Sequence, residues 1–320
     1  MKILLTGSAG FIGFHATLYF LKRKHEVIGI DNINSYYDIK LKQARLKILE
    51  KYKKFSFYKI DLKNNNKLLR IFKNNKFDVV IHLAAQAGVR NSISDPNTYL
   101  DSNLVGFFNL IELVRKFKTN KFIFASTSSV YGHQNVDKFK ENLNTDKPIQ
   151  FYAATKKSNE VIAYSYSHLF NIKTIGLRFF TVYGPFGRPD MALFKFTKNI
   201  IEDKPIEIFN HGNHFRDFTY INDIVKGIYL ATKKNQKITN FRIYNLGKGQ
   251  SISLKKFISQ IELILNKKAI KKYLPMQKGD TLKTYSNINL AKKDLGYYPT
   301  TEYKSGIKKF INWYKKFYKI

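Results

Sequence analysis

Tyr152 and Lys156 stand four residues apart in Tyr152-Ala153-Ala154-Thr155-Lys156. On a helix, positions i and i+4 share a face, so phenol and ammonium would point the same way. A cation beside a phenol favours the phenolate and lowers its pKa. A tyrosine so activated can take a proton from an alcohol near neutral pH. The spacing alone is not selective in a chain with 21 tyrosines, and it recurs at Tyr36 with Lys40 and at Tyr229 with Lys233. What sets Tyr152 apart is the segment before it. Phe122-Ile123-Phe124-Ala125-Ser126-Thr127-Ser128-Ser129-Val130-Tyr131-Gly132 reads as a strand running into a cluster of hydroxyls.

A second group of residues has the makings of a nucleotide site. Gly7-Ser8-Ala9-Gly10-Phe11-Ile12-Gly13 follows an apolar strand and opens an apolar helix. In that context glycines permit a tight turn and close backbone approach to a pyrophosphate, and the helix N-terminus supplies amide donors. Asp31 ends the second strand, where a carboxylate accepts hydrogen bonds from the adenosine ribose hydroxyls and repels a 2′-phosphate, favouring NAD over NADP. Asn32 follows it, Asp61-Leu62 follow the third strand, and Leu83-Ala84-Ala85 follow the fourth. Small residues there would let the backbone lie against a cofactor. His82 beside them reads as a hydrogen-bonded structural residue, and no His, Asp and Glu grouping has metal-ligand spacing.

These groups need a scaffold that brings several strand ends together. Apolar runs at residues 2–6, 26–30, 55–60, 77–83, 121–125 and 174–179 alternate with helical stretches, the first at 11–24. Such alternation predicts a doubly wound parallel sheet of the Rossmann type, covered on both faces. Residues 34–53 read as an inserted helix. Beyond Tyr183-Gly184-Pro185 loops lengthen, so the expected division is a cofactor domain at 1–182 and a smaller substrate domain at 183–320, with a return to the first around 217–246. Residues 307–318 read as an amphipathic packing helix. With 320 residues the chain can build a large core, and the lack of cysteine excludes disulfides and thiolate chemistry. The net charge of +33 comes from lysines spread over the whole length. That dispersal argues against a nucleic-acid surface while still favouring an anionic substrate at long range. No apolar stretch is long enough for a membrane span, and the start does not read as a signal peptide, so the expected location is cytoplasmic.

The glycine loop, Asp31, Leu83-Ala84-Ala85, the 126–132 segment and Tyr152-x-x-x-Lys156 together resemble the extended short-chain dehydrogenase/reductases that modify nucleotide sugars, the NAD-dependent epimerase/dehydratases. Within that family the resemblance, which runs from end to end, is to the branch that epimerises UDP-glucuronate at C4. Its most specific stretches are 31–38, 82–90, 176–192 and 209–221. The resemblance implies that Tyr152 is the base, Lys156 its partner and a nicotinamide-ribose contact, and Thr127 the assisting hydroxyl. Asn103 matches a residue near the cofactor; Arg216 and Asp280 match residues that hold the nucleotide diphosphate and ribose; Gln277 stands where some relatives in the galactose branch have arginine. Arg90 falls in one of the specific stretches and is assigned to the substrate. Arg188 is the candidate for gripping a uronate carboxylate bidentately, helped by Thr181 and the hydroxyls of Thr127 and Ser128. Thr127-Ser128-Ser129 carries no carboxyl where the dehydratase and decarboxylase branches have one, which argues against both. A 4-epimerase of neutral UDP-hexoses is the alternative. The resemblance further implies a homodimer formed through helices near 101–116 and 152–169.

Overall fold

The computed structural model describes residues 1–233 and 240–320. Its centre is a parallel sheet of seven strands among the described residues. These are β1 (Lys2–Thr6), β2 (Glu26–Asp31), β3 (Phe55–Lys59), β4 (Val79–His82), β5 (Lys121–Thr127), β6 (Lys173–Phe179) and β7 (Phe241–Leu246), in the spatial order 7-6-5-4-1-2-3. Helices α1 (Phe11–Lys22), α2 (Ile39–Leu49), α3 (Asn65–Lys73), α4 (Gly106–Lys116), α5 (Phe151–Phe170) and α6 (Ile221–Thr232) complete the layers. The pleat explains why the strands read as unbroken apolar runs: Ile3 and Leu5 enter the core with α1 and α2, while Leu4 between them enters the other core with α3 and α4. Strand order reverses between β1 and β4, both paired in parallel. Chain leaving their C-terminal ends therefore departs to opposite sides and opens a crevice there, the usual ligand position in such sheets.

Three departures from the expected elements matter for function. β5 runs on through Thr127, so Ser126 and Thr127 belong to the strand itself. The helix expected over 34–53 is only Ile39–Leu49, capped by Asp38, whose carboxylate accepts from the Lys40 amide at 2.9 Å; residues 34–38 are left free to cover the crevice. The helix expected near 101–116 begins as a wider π-helical turn, Leu100–Val105, before α4. β7 is a strand that the sequence pattern does not predict. It pairs with β6 at the sheet edge, and residues 234–239 of the expected return lie outside the described residues.

After β6 the chain builds the wall facing the crevice. Thr181–Tyr183 pairs with Phe218–Tyr220 and Ile206–Phe209 with Lys271–Leu274. The helices Ala192–Ile201, Leu254–Leu265 and Tyr303–Tyr318 pack around them. Ile208, Phe257, Phe310 and Tyr314 from this region share one buried cluster with Ile3 and Phe14. The loop between Tyr183 and Ala192 is tied to the sheet side: Pro185 O lies 2.8 Å from His15 Nε2, Arg45 donates to Phe186 O at 2.6 Å, and the Phe186 ring sits between Phe14 and Trp313 at 5.0 and 4.9 Å.

Candidate active site

At the end of β1 the chain turns at Gly7 with φ +75° and enters α1. A methyl at Gly7 would lie 2.7 Å from the Ala84 amide nitrogen, and one at Gly13 only 1.9 Å from the Gly7 carbonyl oxygen. Nothing larger than glycine lets the first turn of α1 pack beneath this loop. Gly10 differs, because a methyl there would meet only Gly7, 3.0 Å from its oxygen, and the space beyond belongs to the crevice. Asp31 closes the far side. Its two oxygens accept from the Ala9 and Ile33 amides at 3.1 and 2.9 Å, which fixes the carboxylate and leaves lone pairs for a ligand. Asp61, bonded to the Asn32 side chain at 3.0 Å, lies beside it. Gly7, Gly10, Phe11, Ile12, Gly13, Asp31, Asn32, Asp61, Leu62, Leu83, Ala84 and Ala85 all line one continuous cleft.

The same cleft reaches Thr127, Tyr152 and Lys156. Tyr152 and Lys156 stand on the first turns of α5, and Glu160 one turn further pins that helix to the sheet. Glu160 accepts from Arg178 at 2.8 Å and from Ser126 at 2.6 Å, and all three side chains are buried. The Lys156 ammonium is buried with no hydrogen-bond partner among the described residues. Burial lowers its pKa to about 8 against the opposing pull of Glu160. Burial likewise raises the Tyr152 phenol, opposed by the positive charge of Arg188 and by a hydrogen bond with Thr127. Burial is the largest influence on that phenol, and the charge of Arg188 acts against it. An orphaned ammonium facing a cleft lined by glycine amides and Asp31 fits a dinucleotide whose ribose hydroxyls would give Lys156 its partners.

Asn103 does not line the cleft. It is fully buried on the π-helical turn, where its amide holds both backbone groups of Gln86 (2.8 and 3.1 Å) and the Thr155 hydroxyl (3.0 Å). It braces the loop after β4 against α5 from behind.

A second cleft opens from the first, and Tyr152 and Arg188 line both. Thr181, Arg90, Arg216 and Asp280 line its length. Asp280 stands 3.5 Å from Arg216 and 3.7 Å from Arg90. Ser128 and Gln277 line neither cleft. Ser128 opens the 3-10 turn Ser128–Tyr131 after β5, and the Gln277 side-chain oxygen is buried without a partner. Arg188 is also not free to receive a carboxylate on its Nε–Nη2 edge. Asp190 already occupies it, at 3.0 and 2.5 Å, with the Tyr36 hydroxyl 3.5 Å from the same carboxylate. Sequence reasoning assigns no role to Asp190 or Tyr36, nor to Asn34, Lys42 and Gln86, which also line the clefts. Tyr36 and Asn34 fall in the 31–38 stretch, Gln86 in 82–90 and Asp190 in 176–192, which mark resemblance without giving roles, while Lys42 lies in none of them; the pairings become visible only when loops far apart in the chain meet.

A glycine-loop dinucleotide cleft ending at a half-buried Tyr152 and a buried Lys156 one helical turn on, joined to a polar cleft with a cluster of arginines, defines an NAD-linked enzyme of nucleotide-sugar type. The chain belongs to the NAD dependent epimerase/dehydratase family, whose model matches residues 3–247. It is 45% identical, over 98% of its length and 96% of the relative's, to a UDP-glucuronate 4-epimerase of Thermodesulfobacterium geofontis. Its structure is similar to the UDP-glucuronic acid 4-epimerase of Bacillus cereus solved with UDP-glucuronic acid and NAD, with a TM-score of 0.93, 37% identity and coverage of 99% and 100% of the two chains. A UDP-glucose 4-epimerase of Thermotoga maritima, solved with UDP-glucose, is similar at TM-score 0.90 and 28% identity, with coverage of 99% and 100%.

Proposed function

We propose that this protein interconverts UDP-glucuronate and UDP-galacturonate by epimerisation at C4, with NAD as resident cofactor. The observation that carries the reading is the position of Tyr152 and Arg188 on both clefts: the base and a cation meet where a sugar reaching from one cleft would meet a cofactor lying in the other. Gly10, Asp31, Asp61 and Lys156 would hold the dinucleotide. When bound, NAD supplies the acceptor that removes hydrogen with its electron pair from C4 and returns it to the opposite face. Tyr152 takes the proton of the 4-hydroxyl and later gives it back, and Thr127 orients that hydroxyl through its contact with the phenol. The protonated Lys156 beside them favours the phenolate when the alcohol is to be deprotonated. Arg216, Arg90 and Asp280 hold the nucleotide end, so the 4-keto sugar is free to turn about its diphosphate link.

A 4-keto-glucuronate is a β-keto acid prone to losing carbon dioxide, so its carboxylate must be restrained. Arg188 is the restraining residue, through the nitrogens that Asp190 leaves free, with Thr181 beside it. Arg188→Ala is expected to lower turnover of UDP-glucuronate at least about a hundredfold while UDP affinity, measured by calorimetry, changes less than about threefold; equal losses in both would remove Arg188 from this role. The reading includes a homodimer through α4 and α5, whose outer faces expose Phe108, Val161, Tyr164 and Leu169, a cytoplasmic location, and supply of an acidic sugar donor for polysaccharide biosynthesis. No described helix is long and apolar enough to cross a membrane.

Incubation of the purified protein with UDP-glucuronate, with and without added NAD, read by proton NMR, tests the reading. UDP-galacturonate without carbon dioxide supports it. A UDP-pentose would mean decarboxylation, and conversion of UDP-glucose to UDP-galactose with no change in UDP-glucuronate would move the substrate to the neutral hexoses.

A further inference from the structure

His214 lies at the nucleotide end of the substrate cleft and has so far been given no role. It precedes the short strand Phe215–Arg216, and its backbone carbonyl accepts from the Leu254 amide at 2.8 Å at the start of the helix Leu254–Leu265. The residue is 4% exposed, it lines the cleft, and its Nε2 has no hydrogen-bond partner among the described residues. Asp280 Oδ2 lies 3.9 Å from that nitrogen, beyond hydrogen-bond distance. That same carboxylate also faces Arg216 at 3.5 Å and Arg90 at 3.7 Å. One anion therefore stands among two permanent cations and one group that becomes a cation on taking up a proton.

We propose that His214 is a third ligand of the diphosphate of the bound nucleotide sugar and takes up a proton as that diphosphate enters. A buried ring nitrogen without a partner carries a desolvation cost that a ligand oxygen would relieve. A doubly negative diphosphate placed against Arg216 and Arg90 adds a strong negative potential at a site where, among the described residues, Asp280 is the anion acting on the ring. Without nucleotide, burial and the charge of Arg216 hold the imidazole below its ordinary value, Asp280 opposes them, and Arg90 adds to them. With nucleotide the added negative charge and a hydrogen bond to the protonated ring act in the opposite sense. Among the described residues, those three are the charged groups that act on the ring. Both arginines stay protonated, so His214 is the member of the cluster able to change charge between about pH 6 and pH 8.

The sign follows from linkage. A group whose pKa rises on binding strengthens binding as pH falls from the bound-state value toward the free-state value. Affinity for the nucleotide sugar is therefore expected to weaken as pH rises through neutrality, by at most about tenfold per unit for a single proton. This inference rests on the reading that the cleft binds a UDP-sugar, but not on which sugar.

The test is calorimetric titration of the full-length, NAD-loaded protein with UDP-glucuronate at several values between about pH 6 and pH 8, in two buffers of unlike ionisation heat. The ligand has no group of its own that titrates there, since its diphosphate is a diester and its carboxyl is far more acidic. The expected result is uptake of up to one proton on binding, absent in His214→Gln, whose affinity is flat with pH. A His214→Gln protein that binds more weakly at every pH yet still takes up the proton, or a wild-type protein that binds with no proton uptake, overturns the assignment. Failure of the wild-type protein to bind UDP-glucuronate or UDP-glucose at all would instead overturn the proposed function, and this inference with it.

Discussion

Tyr152→Phe is expected to lower the turnover number by about 10²–10⁴-fold, the range associated with losing a positioned general base, without loss of bound NAD. The substitution removes one oxygen from a side chain whose ring packs edge-on against Tyr99 at 6.1 Å. Phenylalanine keeps that ring, and the Tyr152 hydroxyl is not a partner in the bonds that brace Asn103, Gln86 and Thr155. The measurement pairs a turnover assay with cofactor content by absorbance and with UDP affinity by calorimetry. Loss of all three together would mean that the substitution disturbs the cleft as a whole. Retained turnover would assign the proton transfer to Thr127 or to a water, and would remove the central element of the mechanism.

The second large effect is expected at the glycine loop, where two neighbouring substitutions should separate folding from binding. Gly13→Ala drives a methyl to 1.9 Å from the Gly7 carbonyl oxygen. Backbone cannot yield there without moving β1 or α1, so the expected cost is at least about 3 kcal/mol of stability, seen as a lowered melting temperature with or without NAD. Gly10→Ala introduces a methyl 3.0 Å from the same oxygen and otherwise toward the cleft. It is expected to melt near the wild-type temperature while binding NAD at least about a hundredfold more weakly, because the methyl stands where the pyrophosphate approaches. Equal losses of stability in the two variants would mean that both glycines serve the turn and neither the ligand.

The contrast between these positions bears on what the chain reveals without its structure. The sheet is legible because each of β1, β2 and β4 is buried on both faces, which leaves an unbroken apolar signature, and the glycine loop because turn and helix start are local events. That Thr127 and Tyr152 line one cleft is legible for a different reason: a strand end and a helix start are each recognisable alone. What escapes is what depends on distant segments meeting. Asp190 fills the fork of Arg188 through a turn of only two residues, but its second partner, Tyr36, comes from the loop after β2. Asn103 resembles a cofactor contact, and only the π-helical turn shows that its amide is consumed by Gln86 and Thr155. Spacing places a lysine on the face of Tyr152 and does not show how far the phenol is buried. β7 does not read as a strand, because Phe241-Arg242-Ile243-Tyr244-Asn245-Leu246 is interrupted by Arg242 and Asn245; Asn245 is nevertheless buried, its amide taken up by the Tyr131 hydroxyl and the Phe139 and Asn287 carbonyls.

The anchoring of Phe186 makes the molecule its own spectroscopic gauge. The chain has a single tryptophan, and its indole centroid lies 4.9 Å from that of Phe186, two residues from Arg188. Emission from Trp313 therefore reports from one place, the root of the loop that faces the sugar, with no other indole elsewhere in the chain. Reduced nicotinamide absorbs where tryptophan emits, so a turnover in which the cofactor is transiently reduced and then restored would dim and recover that one signal in real time. The redox state of the site can thus be followed in the unlabelled protein.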